Sequence, residues 1–133
     1  MKLLLPLALI ALAAASQARA DEPDKKLYEL RVYYANPGKL EALHKRFRDH
    51  TVKLFEKHGM TNVGYWVPEG ENSERELIYI LAFPDMKARE KSFADFLADP
   101  EWQQAQKASE ANGPLVAKIE STFLEAADYS PPI

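Results

Sequence analysis

Residues 76–83, ELIYILAF, are apolar on both faces of any strand they form. Side chains alternate along a strand, so Leu77, Tyr79, Leu81 and Phe83 point one way and Ile78, Ile80 and Ala82 the other. A strand with one wet face would carry polar residues at alternate positions. Both faces of this one need a cover, and the neighbouring elements limit what can supply it.

Residues 27–34 (LYELRVYY) are aromatic and β-branched and read as a first strand, ended by Asn36-Pro37-Gly38. Residues 39–58 follow at helical spacing, with Leu40, Leu43, Phe47, Thr51, Leu54 and Phe55 on one stripe and Gly59 suited to close the helix. A second strand is expected over 61–67, a hairpin loop over 68–75 and the third strand over 76–83. Asp85 is a suitable N-cap for a helix over 86–98, whose stripe is read as Met86, Phe93 and Leu97. Asp99-Pro100 breaks that helix, a shorter one follows over 101–111, and 115–126 reads as a last strand. The order is β-α-β-β-α-β. It predicts an α+β, ferredoxin-like fold: a four-stranded antiparallel sheet with its helices on one face. The other face of the third strand then falls to a second copy of the sheet. That gives a homodimer with an isologous interface, a dimeric α+β barrel.

Residues 1–20 carry Lys2, an apolar run over 3–15 and Ala18-Arg19-Ala20, the pattern of a secretory signal with an A-x-A cleavage site. The run is too short to span a bilayer comfortably, which takes about 20 apolar residues, so no stable membrane anchor is expected after cleavage. Removing 20 of the 133 residues leaves 113, one domain's worth, and losing Lys2 and Arg19 takes the net charge from −3 to −5. The expected division is 1–20 signal, 21–26 flexible N-terminus, 27–127 the folded domain and 128–133 a tail. An acidic domain argues against nucleic acid as a partner. The absence of cysteine excludes disulfides, thiolate metal sites and a thiol nucleophile. The expected location is the bacterial periplasm.

The chemistry-bearing side chains are few. His44, His50 and His58 all fall on the first helix. His44 and His58 are separated by about 21 Å of helix rise and cannot share an ion, so no metal is expected. His50, at the edge of the stripe, is the candidate to face a pocket, while His58 beside Gly59 suits a helix end. Glu29 and Arg31 share a face of the first strand with Leu27 and Tyr33. They read either as a structural ion pair, on the dimer seam if that face is the seam, or as a site where Arg31 binds a ligand oxygen with Tyr33 beside it. Tyr65, Trp66, Tyr79 and Trp102 read either as ordinary core and interface residues or as flat ligand-binding surfaces with polar handles, and Gly64 could let a ligand or another backbone come close to the sheet. Lys39, Lys45, Arg46, Arg48, Lys53 and Lys57 read as a solvated basic flank. The expected ligand-binding set is Arg31, Tyr33, His50, Trp66 and Tyr79, with no cofactor.

The segments YELRVYYANPGKLEALHKRF (28–47), HGMTNVGYWVPEG (58–70), LIYILAFPD (77–85) and FLADPEW (96–102) resemble the NIPSNAP family of the dimeric α+β barrel superfamily. The resemblance draws attention to Glu29, Arg31, Tyr33, Gly38, Gly64, Trp66, Tyr79 and Trp102 without giving any of them a catalytic role. It implies a pocket for an apolar ligand between sheet and helices. Animal relatives are linked with mitochondria and vesicle traffic, and the export signal departs from that setting. Two functions follow as expectations. One is binding of a small apolar or aromatic molecule, extending to cofactor-independent monooxygenation with His50 as base. The other is a non-enzymatic ligand-binding or protein-interaction module.

Overall fold

The computed structural model describes residues 25–133; the expected signal segment and most of the expected flexible N-terminus lie outside the described residues. Four strands, β1 (Leu27–Ala35), β2 (Thr61–Trp66), β3 (Glu76–Phe83) and β4 (Val116–Glu125), form one sheet in the order β2-β3-β1-β4. All three pairings are antiparallel. Between β1 and β2 runs a helical stretch made of α1 (Leu40–Arg46), a π-turn (Phe47–Thr51) and α2 (Val52–Lys57). Between β3 and β4 lie α3 (Met86–Ala98) and α4 (Pro100–Ser109). The expected ferredoxin-like α+β fold is the observed one.

Alternation settles the faces. Glu29, Arg31, Tyr33 and Ala35 of β1 are buried, as are Leu77, Tyr79, Leu81 and Phe83 of β3. They pack with Leu43, Phe47, Leu54, Phe55, Phe96 and Trp102 of the helices in one core. Tyr79 sits at its centre, its ring 5.1 Å from Tyr65 and 5.3 Å from both Tyr33 and Phe47. Tyr28, Leu30, Val32, Ile78 and Ile80 alternate to the opposite face and keep partial exposure.

Three local features depart from the expected reading. The first helix is not uniformly wound: the Val52 N–H donates to the Phe47 carbonyl, five residues back. The spacing explains it. Leu43, Phe47, Thr51 and Phe55 recur every fourth residue, and each such step drifts about 40° around a regular helix. One wider turn absorbs an extra residue and keeps all four buried. The Thr51 hydroxyl also donates to the Arg46 carbonyl at 3.3 Å. In α3 the buried residues are Ser92 and Phe96, with Phe93 half-buried, while Met86 and Leu97 are exposed. Arg46, read as part of a solvated flank, is buried at 5 % exposure.

The ends of the helices are capped as their sequences suggest. Asp85 accepts from the Ala88 N–H at 2.8 Å. Asp99 accepts from the Glu101 N–H at 2.9 Å, with Pro100 opening α4. Gly59, at φ +80°, ends the first helical stretch, where the Met60 N–H reaches back to the Phe55 carbonyl at 3.0 Å.

Candidate functional site

A cavity of about 620 Å³ opens between the sheet and the helices. β1 supplies Arg31 and Tyr33, β4 supplies Ile119, the first helical stretch supplies Arg46, Phe47, Thr51 and Phe55, and α3 and α4 supply Arg89, Phe93, Phe96 and Trp102. Its volume falls in the range of small-molecule sites. Six aromatic side chains line it, together with three guanidinium groups and the polar Thr51, Gln106 and Glu110.

The polar side is built around Glu29, whose side chain is wholly buried. Arg31 Nη1 donates to Glu29 Oε2 at 2.7 Å, Arg89 donates through Nε to Oε1 and through Nη2 to Oε2, each at 3.0 Å, and Ser121 Oγ donates at 2.7 Å. Burial pushes the Glu29 carboxyl up, but Arg89, Ser121 and Arg31 outweigh it and hold it below the usual carboxylate value. Arg31 also donates through Nε to the Tyr79 hydroxyl at 2.7 Å and through Nη2 to the Tyr33 hydroxyl at 3.2 Å. Burial works against its charge. The phenolic oxygens of Tyr79 and Tyr33 and the Glu29 carboxylate more than offset that, and the guanidinium holds its proton more firmly than an ordinary arginine. Burial likewise pushes the Tyr79 and Tyr65 hydroxyls well above the normal tyrosine value, so both stay protonated. The Arg31 and Arg89 guanidinium carbons lie 4.9 and 4.5 Å from the Phe93 ring centre.

Arg46 forms part of another wall. Its guanidinium lies 5.1 Å from the Trp102 ring centre, and Nη1 donates to Ser109 Oγ at 3.2 Å and Glu110 at 3.4 Å. Its buried Nε has no acceptor among the described residues.

The expected site residues divide. Arg31 and Tyr33 line the cavity, and Tyr79 stands behind them as the fixed acceptor for Arg31. His50 is elsewhere. It borders a separate hollow of about 240 Å³ between the first helical stretch and α4, with Ala42, Asp49 and Ala105. The π-turn packs Phe47 and Thr51 into the core and leaves His50 to that outer side, so the proposed base does not reach the cavity. Trp66 is also elsewhere: it is half-exposed on the opposite face of the sheet, where its indole lies over Gly64. The space above Gly64 is taken by that ring rather than by a ligand.

Glu29 and Arg31 form the ion pair that is one of the two expected readings, on the face that packs against the helices and not on the open side of the sheet. His58 closes α2, and its Nε2 lies 2.7 Å from Asp99 Oδ2. Asp99 also accepts from Lys57 Nζ at 2.7 Å, and Lys57, His58 and the Glu101 N–H hold its carboxyl well below the usual range. This cluster joins α2 to the α3–α4 break.

Arg46, Arg89 and Phe93 complete the cavity and were not singled out as site residues. A sequence signal for Arg89 exists: Arg89, Phe93 and Phe96 share one helical stripe, so an arginine stands where a core residue is due. Arg46 sits directly before Phe47 and three residues after Leu43, on the shoulder of the apolar stripe. Among the described residues no cluster of histidine and acidic side chains could hold a metal, and no helix is long and apolar enough to cross a membrane.

The fold recurs in solved structures. A NIPSNAP-like domain protein from Burkholderia xenovorans superposes with a TM-score of 0.72 at 20% identity, covering 84% of this chain and 93% of its own. A NIPSNAP family protein of unknown function from Agrobacterium tumefaciens gives a TM-score of 0.70 at 26% identity, covering 81% and 94%. A second Agrobacterium NIPSNAP family protein gives 0.71 at 19% identity, covering 83% and 93%. No curated protein matches the chain significantly. The NIPSNAP family model matches residues 28–131, from the start of β1 through the last strand and into the tail, and the chain therefore belongs to the NIPSNAP family.

Proposed function

We propose that this NIPSNAP protein is an exported homodimer that binds a small, mostly apolar or aromatic molecule in the cavity between its sheet and helices. The observation that carries the reading is the cavity itself, with Phe47, Phe55, Phe93, Phe96 and Trp102 on its walls and Arg31 and Tyr33 at its polar end. Aromatic walls with a few fixed polar groups suit a small-molecule site. No histidine lines the cavity, so the reading is one of binding, without the His50-assisted oxidation expected from the sequence.

A second copy is the natural cover for the open face of the sheet. Leu30 and Val32 of β1 and Ile78 and Ile80 of β3 meet there, and Trp66 and Leu124 flank them with 50 % and 40 % exposure. A contiguous apolar patch of this kind supports contact with a partner surface. The apolar run and the Ala18-Arg19-Ala20 site support export.

Native mass spectrometry of the protein from its own host tests these points together. A dimer mass, subunits beginning at Asp21 and a retained small molecule are expected. Titration with the neutral fluorophore N-phenyl-1-naphthylamine gives a second measure. A saturable rise at one site per subunit is expected, and no saturable binding sinks the small-molecule reading.

A further inference from the structure

We infer that the cavity takes an amphiphile with a single oxyanion head group, held by Arg31 and Arg89 against an aromatic wall. This rests on the small-molecule reading and names its ligand class.

The charge balance at the polar end leads there. Glu29 is one carboxylate serving two guanidiniums, and its oxygens already accept from Arg31, twice from Arg89 and from Ser121. A carboxylate offers about four lone-pair sites, so Glu29 is saturated. One positive charge is left without a counter-ion. Arg89 spends Nε and Nη2 on Glu29 and leaves Nη1 without an acceptor among the described residues. Both arginines line the cavity, with the Phe93 ring beneath them. A second guanidinium, that of Arg46, is likewise under-satisfied, with a buried Nε that finds no acceptor.

This cationic end is not a by-product of a basic protein, since the chain carries a net charge of −3. Lys118 borders the cavity, but its Nζ is turned away from it: the residue pairs in register with Tyr34 on the far face of the sheet, and its Nζ lies over that ring, 2.7 Å from Glu120. Arg89 keeps only 23 % of its side-chain surface exposed, so an anion placed against it gains more than it would at a fully exposed arginine. A guanidinium with a free edge takes an oxyanion head through charge-assisted hydrogen bonds. The remaining walls accept an aromatic or aliphatic body.

Two fluorophores that share one body separate the charge from the fit. 8-Anilinonaphthalene-1-sulfonate is N-phenyl-1-naphthylamine with an added sulfonate. At low salt the wild-type protein should bind the sulfonate about tenfold more tightly, in line with a charge-assisted hydrogen bond. Arg89→Gln leaves the Arg31–Glu29 pair balanced. It should bring the two affinities within about twofold of each other. If circular dichroism shows that Arg89→Gln does not fold, Leu97→Glu replaces it, because Leu97 lines the cavity yet is 58 % exposed. This variant should weaken the sulfonate at least about threefold more than it weakens the neutral dye. Equal wild-type affinities, or a preference untouched by the variant, overturn the oxyanion inference alone. Failure of both dyes to bind overturns the small-molecule reading and this inference with it.

Discussion

Glu29 grips Arg89 at two points across the space between β1 and α3, Oε1 taking Nε and Oε2 taking Nη2 at 3.0 Å each. The contact ties the centre of the sheet to the helix above it. Because the carboxylate is wholly buried and also holds Arg31, the same group anchors the fold and sets the charge of the cavity.

Replacing Glu29 with Gln should therefore cost stability as well as alter the site. The variant keeps the shape but leaves two guanidiniums facing a neutral amide. Removing one partner of a buried charged cluster costs about 3–5 kcal/mol, and a loss of that size is expected in urea unfolding. A loss below about 1 kcal/mol would show that the cluster contributes little to folding.

Stability should fall on acidification. The Glu29 and Asp99 carboxyls lie below their ordinary values of 4.5 and 3.8 in the folded chain. The unfolded chain therefore takes up protons first as pH falls, which favours unfolding. The contribution is complete above the ordinary values and is lost as pH drops through them toward the folded ones. The urea midpoint should be flat from pH 7 to about 5 and decline below that. Asp99→Asn should shallow the decline. A midpoint unchanged between pH 5 and pH 3 would contradict the assignment.

Phe47→Ala should be among the most damaging core substitutions. The ring meets Tyr33, Phe55, Tyr65 and Tyr79 at centroid distances of 5.3 to 6.2 Å and also walls the cavity. Truncating a buried phenylalanine costs about 3–5 kcal/mol. Thermal and urea denaturation measure it, and Phe47→Leu should recover most of the loss.

Ile80→Glu tests the partner surface. Ile80 pairs with Leu30 on the open face of the sheet and keeps partial exposure in the single subunit. Charge at that position should leave the subunit folded and convert the proposed dimer to monomer in light scattering coupled to size exclusion. A variant that still runs at the wild-type mass would remove this face from the interface.

The elements were legible in the sequence because each carried a local signature. The β-branched and aromatic runs gave the strands, Asp85 marked a helix start, Asp99-Pro100 a helix break and Gly59 a helix end. The two-sided apolar pattern of β3 was likewise plain. The cavity was half legible. Arg31 and Tyr33 stand out on a strand, where a period of two makes a charged residue on a buried face conspicuous. Arg46 and Arg89 are less conspicuous, because they sit in helical segments rich in exposed charges. His50 was misplaced for a related reason. Its direction depends on the winding of the π-turn, a one-residue effect that comes from packing Leu43, Phe47, Thr51 and Phe55 together.

That turn has a consequence for how the chain can vary. Deleting one residue from 48–50 would let the helix wind regularly while the residues now at 43, 47, 51 and 55 still met the sheet, since steps of four, three and four follow its natural pitch. Phe47 and Thr51 lie on either side of the deleted position and both border the cavity. Loss of a single codon here would reshape the cavity and leave the surrounding framework in phase.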